Sequence, residues 1–74
     1  MVTEIQVLDV VALTRDLRER GLYRGQVGTI VEVLAPGVFE VEFSDNHGRT
    51  YAAMSLRSDR LMILHHQPLE VAQW

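Results

Sequence analysis

Apolar and polar residues alternate most strictly over residues 38–43, VFEVEF. Phe39, Val41 and Phe43 fall on one face of an extended chain, and Glu40 and Glu42 on the other. That is the period of a half-buried β-strand, with the glutamates turned to water. Residues 9–14 (DVVALT) read as an earlier strand with both faces apolar. Val11 and Leu13 share one side, and Val10 and Ala12 the other. Residues 26–34 (QVGTIVEVL) read as a strand of unclean parity. Ile30, Glu32 and Leu34 share one face, and Thr29, Val31 and Val33 the other. Residues 49–55 place Tyr51 and Ala53 against Ala52 and Met54, and 61–64 (LMIL) make a short last strand.

Turn chemistry separates these runs. Pro36 presets φ and Gly37 accepts positive φ, as a type II turn requires. Residues 44–48 (SDNHG) fit a hairpin loop with Gly48 in the left-handed position. Gly25 and Gly28 form a Gly-x-x-Gly turn into the second strand, and Gly28 is the expected site of a bulge or bend. Residues 15–24 read as a long excursion loop pinned by Leu17 and Leu22. Residues 56–60 read as a single tight turn, of 3₁₀ type, anchored by Leu56. At the N-terminus, Val2, Ile5 and Leu8 recur every third residue, which fits one short helical turn or an extended lead-in. The expected fold is all-β: a five-stranded SH3-like small barrel over 1–64, with a one-turn helix and a C-terminal tail over 65–74.

Resemblance supports this layout. RGQVGTIVEV resembles the Gly-x-x-Gly-x-hydrophobic core of KOW and other SH3-like barrels. Gly21 to Phe43 also resembles the SH3-like domain of the nitrile hydratase β subunit. From Leu8 to Leu64 the pattern DVVAL, RGQVGT, VEVLAPGVFEVEFSD, GRTYA is similar to a family of small bacterial proteins known only as a domain of unknown function. This resemblance implies the SH3-like fold and no particular activity. The nitrile hydratase likeness implies an accessory chain packed on a larger partner. It imports no catalysis, because that enzyme's metal-binding Cys motif lies on its other subunit.

Composition narrows the function. The chain has 74 residues, a formal net charge of −3 and no Cys, so disulfides and thiolate metal sites are out. Its hydrophobic fraction of 47% is that of a folded domain. No apolar run is long enough for a membrane span, and the N-terminus lacks the pattern of a signal peptide. A cytoplasmic location is expected. The negative charge argues against sequence-independent nucleic-acid binding, which needs a basic face. Glu32, Glu40 and Glu42 on the central strands set the chain apart from basic KOW modules.

Candidate chemistry is sparse. His47, His65 and His66 show no ligand spacing, since neighbouring strand residues point to opposite faces. Ser44, Ser55 and Ser58 lack a nucleophile motif. Strand alternation alone accounts for the Glu40–Glu42 pair. No helix follows Gly28, so the glycine turn is no phosphate cradle. No cofactor or metal is expected, and no enzyme. All seven basic residues are Arg, and Arg15, Arg18, Arg20 and Arg24 crowd one loop around Tyr23. Such a loop can grip an acidic or aromatic segment. In the tail, Leu69, Val71 and Trp74 offer a second contact, to a partner or to another copy of the chain. The expected function is a non-catalytic protein–protein module or accessory subunit, of antitoxin-like type. The alternative is a KOW-like RNA- or ribosome-associated domain.

Overall fold

The computed structural model describes residues 4–68. Five strands form one antiparallel sheet: β1 (Val10–Leu13), β2 (Val27–Ala35), β3 (Val38–Ser44), β4 (Thr50–Arg57) and β5 (Leu61–Ile63). Their order across the sheet is β4-β3-β2-β1-β5. Two 3₁₀ turns, η1 (Arg18–Arg20) and η2 (Ser58–Arg60), complete the described elements. Among the described residues, no helix is long and apolar enough to cross a membrane.

The inner face is read off the cross-strand pairs. Phe43 stands opposite Gly28 and Ala52, Val41 opposite Ile30 and Met54, and Phe39 opposite Val33 and Leu56. On the other flank, Val11 and Leu13 pair with Ile63 and Leu61. Met54 of one edge strand and Leu61 of the other belong to a single buried cluster with Val11, Leu13, Leu22, Ile30, Phe39, Val41 and Phe43. The sheet therefore curls until both edges share a core. As expected, Ala12 is also buried, so β1 is covered on both faces.

The unclean parity of the second strand has a specific cause. The register with β3 slips between Ile30 and Glu32, and again between Val33 and Ala35. Val31 and Leu34 are the extra residues, and each slip resets which face the following residue meets. Ile30 and Val33 thus share the inner face, while Glu32 lies outside, opposite Glu40. Beyond Ile30 the hairpin outruns the core, leaving Val31, Val33 and Leu34 exposed.

The expected bend at Gly28 is corrected: Gly28 is no turn residue. It pairs in register with both Val11 and Phe43 and is buried. Gly25, with φ of 94°, closes the preceding turn, where Gln26 N–H donates to the Tyr23 carbonyl. Three smaller corrections follow. Residues 6–9 form a tight turn rather than a helical turn or extended lead-in, with Asp9 N–H donating to the Gln6 carbonyl. Leu56 and Arg57 extend β4 instead of opening the next turn, because their partners Phe39 and Val38 continue the ladder. Glu40 and Glu42 are only half-exposed.

Candidate functional site

The long loop folds back on itself as its apolar residues dictate. Leu17 and Leu22 exchange backbone hydrogen bonds of 2.8 and 3.1 Å, and Leu22 plugs into the core. Between them η1 turns over on Gly21, whose N–H donates to the Arg18 carbonyl. Asp16 ties the loop's two limbs: it accepts from the Arg24 N–H at 2.9 Å and lies 3.6 Å from the Arg18 guanidinium. On the return limb, the Gln26 side chain accepts from the Tyr23 N–H at 2.6 Å and donates to the Tyr51 hydroxyl at 3.1 Å.

Between this loop and β4 runs an open groove of about 300 Å³, near the lower end of the range typical of ligand sites. Leu17, Glu19 and Arg20 form one wall and Met54, Ser55, Leu56 and Arg57 the other, with Arg60 of η2 alongside. The apolar part of the lining is continuous with the core, since Met54 is buried and Leu17 and Leu56 pack against the same cluster. Three arginines and one glutamate are among the lining residues. Arg57 also reaches Asp59 at 3.8 Å, an exposed pair that leaves both groups hydrated.

Arg57 ends β4 with extended backbone, and Arg60 closes the 3₁₀ turn Ser58–Arg60 that follows it. Backbone bonds fix that turn: Thr14 N–H donates to the Arg60 carbonyl at 2.9 Å, and Ser58 N–H to the Gly37 carbonyl at 2.9 Å.

The structure divides the residues nominated from sequence. Arg20 lines the groove. Arg15, Arg18, Tyr23 and Arg24 are exposed on the loop but outside the groove lining. Leu69, Val71 and Trp74 lie outside the described residues. Sequence reasoning missed Arg57, Arg60, Met54 and Leu56. The signal was the pair of arginines in LRSDR, which close a strand and the tight turn that follows it. The turn residues Pro36, Gly37 and Gly48 fall where expected, with φ of 74° at Gly37 and 78° at Gly48. His47, His65 and His66 are exposed, and no group of three metal-binding side chains occurs among the described residues.

Fold and groove together define a small all-β domain with an open groove beside the edge strand β4, lined by arginine, glutamate, serine and aliphatic residues. The chain belongs to the family described as Domain of unknown function (DUF4926), whose model matches residues 7–63. No curated protein and no solved structure matches the chain significantly.

Proposed function

We propose that this chain is a non-catalytic protein-binding module of SH3-like type, and that the groove between residues 17–20 and β4 receives a segment of a partner protein. The observation that carries this reading is the lining itself. Arg20, Arg57 and Arg60, with Glu19 and Ser55, line the groove beside Leu17, Met54 and Leu56, and its exposed lining is more polar than apolar. Arginine set among aliphatic residues is a composition enriched at recognition surfaces, where the planar guanidinium supplies directional contacts. The strand order, with β1 between β2 and β5, supports the SH3-like part of the reading. Of the loop residues nominated from sequence, Arg20 now stands at the centre. Arg15, Arg18, Tyr23 and Arg24 serve as a flanking surface.

The test is position-dependent photo-crosslinking in the native host. A photoreactive residue replaces Ser55 in the groove, and in a second strain Asn46 at the hairpin tip. One protein captured from position 55, absent from position 46 and lost on Arg20→Glu with Arg57→Glu, is the expected result. Equal capture at both positions, or no protein from position 55, overturns the reading. A nuclease-sensitive product at position 55 replaces it with the RNA-associated alternative.

A further inference from the structure

The groove lies along a strand edge, not on a sheet face. Four consecutive residues of β4, Met54 to Arg57, border it. Side chains alternate along a strand, so a cavity on one face meets only every second residue. Here both parities meet the same cavity. One edge of β4 is occupied by β3 from Thr50 to Arg57. On the other edge no strand pairs with β4 among the described residues. The N–H and C=O groups of β4 that turn away from β3 have no strand partner among the described residues, and the groove runs beside them.

Natural sheets commonly blunt such edges with Lys, Pro, bulges or short length. β4 is eight residues long and contains neither Lys nor Pro. Its one register slip falls at Tyr51, away from the groove, and pairing is regular from Ala52 to Arg57. The edge beside the groove is thus left fit to template another strand.

Charge then selects the occupant. Arg20 and Arg60 form no ion pair among the described residues, and Glu19 is the one carboxylate in the lining. On the sheet, Glu40 stands directly opposite Ser55. An extended segment that carries acidic residues meets this excess of arginine over carboxylate. Its carboxylates meet the guanidiniums of Arg20 and Arg60, while Arg57, two residues from Ser55, shares the face of Glu40 and is paired with Asp59.

We infer that the groove takes an extended acidic segment of a partner protein, added to β4 as a sixth strand. This rests on the protein-binding reading and names the partner's chemistry. Main-chain hydrogen bonds to the β4 edge give affinity, and the arginines give specificity.

The test uses the intact chain, ¹⁵N-labelled, and three probes: an acetylated octapeptide alternating Thr and Glu, the same peptide N-methylated at every second residue, and an octauridylate. The plain peptide is expected to shift the amides of Leu17–Arg20 and Met54–Arg57 and to slow hydrogen exchange along β4. N-methylation removes ladder donors, and binding is expected to weaken about tenfold or more, a loss of roughly 1.4 kcal/mol. Arg20→Glu with Arg60→Glu is expected to weaken the plain peptide by a similar factor. The retained spectrum of that variant checks its fold. Equal binding of the two peptides, no shift at Met54–Arg57, or binding of the octauridylate in place of the peptide overturns the inference. Capture of a protein from position 55 reports on the module reading separately. That reading stands if capture succeeds while the peptides fail.

Discussion

Gly28 and Phe43 face each other across β2 and β3 with room for a hydrogen atom and no more. A Cβ built on Gly28 would lie 2.8 Å from Val41 Cγ1, 3.0 Å from the Glu42 carbonyl oxygen and 3.1 Å from Phe43 Cδ2. The glycine's φ is not in the positive range, so its role is close approach rather than an unusual backbone angle. Two of the largest fully buried side chains, Phe43 and Val41, fill the volume that any other residue would claim.

Gly28→Ala is therefore expected to destabilise the fold by about 2 kcal/mol, the usual scale for overpacking a tight core. Urea unfolding measures it. The cause can be separated from a general strand defect by a double-mutant cycle with Val41→Ala, which removes the closest contact. The two substitutions together should cost at least roughly 0.5 kcal/mol less than their separate effects added. Strict additivity would show that the clash is not the mechanism.

Asp45 organises the β3–β4 hairpin through its side chain. One carboxylate oxygen accepts from the His47 N–H at 2.8 Å and from the Arg49 N–H at 3.0 Å. The other lies 3.5 Å from the Arg49 guanidinium, an exposed pair of small weight. Asp45→Ala is expected to cost about 1 kcal/mol, because two N–H groups lose an acceptor and water replaces it only in part. Asp45→Asn keeps an acceptor oxygen and is expected to recover most of that loss. Thermal melts of the two variants check the ordering. Equal losses for Ala and Asn would assign the effect to the ion pair instead.

How much of this was legible beforehand follows from where the information sits. The strand over 38–43 was legible because Phe39, Val41 and Phe43 alternate with glutamate, and the core does take all three. The loop pinned by Leu17 and Leu22 was legible because they are its only large aliphatic residues. The faces of β2 were not, because a register slip at Val31 leaves no residue-type signal when the extra residue is as apolar as its neighbours. Gly28 drew a bend in sequence because glycine often marks one, whereas close approach depends on Val41 and Phe43 of another strand. The groove was half legible. Arg20 stood out in an arginine-rich loop, but Arg57 and Arg60 join it only through the curl of the sheet that brings β4 and η2 to that loop.

Leu8 is the one non-glycine residue with positive φ among the described residues, at 77°, and its side chain is left largely in water, at 76% exposure. The turn it occupies is held by Asp9, which donates to the Gln6 carbonyl and accepts from the Gln6 N–H at 2.8 Å. Leu8 N–H donates to Ile30 at 2.8 Å, so the turn is anchored to the strand behind it. A leucine pays about 1–2 kcal/mol for this backbone region. Leu8→Gly removes that strain and forfeits little burial, and it loses about 0.5–1 kcal/mol through the freer unfolded chain. The net expectation is a gain of roughly 0.5 kcal/mol in urea unfolding, with Leu8→Asn also above the parent. A loss in both variants would mean that the exposed leucine packs against something outside the described residues.

Glu32 and Glu40 stand directly opposite each other on the outer face of β2 and β3. Like charges so placed repel, and neither glutamate forms an ion pair among the described residues. Glu32 is the better position to change, because Glu40 also neighbours Ser55 at the groove. Glu32→Lys turns the repulsion into an attraction and leaves the groove lining intact. A gain of about 0.5–1 kcal/mol is expected in low salt. The gain should shrink as salt is raised toward 1 M, where the screening length falls to about 3 Å. Melting the parent and Glu32→Lys in parallel across a salt series reads both effects. A gain that stays constant with salt would point to the lysine's aliphatic stem covering the exposed Val31 rather than to charge.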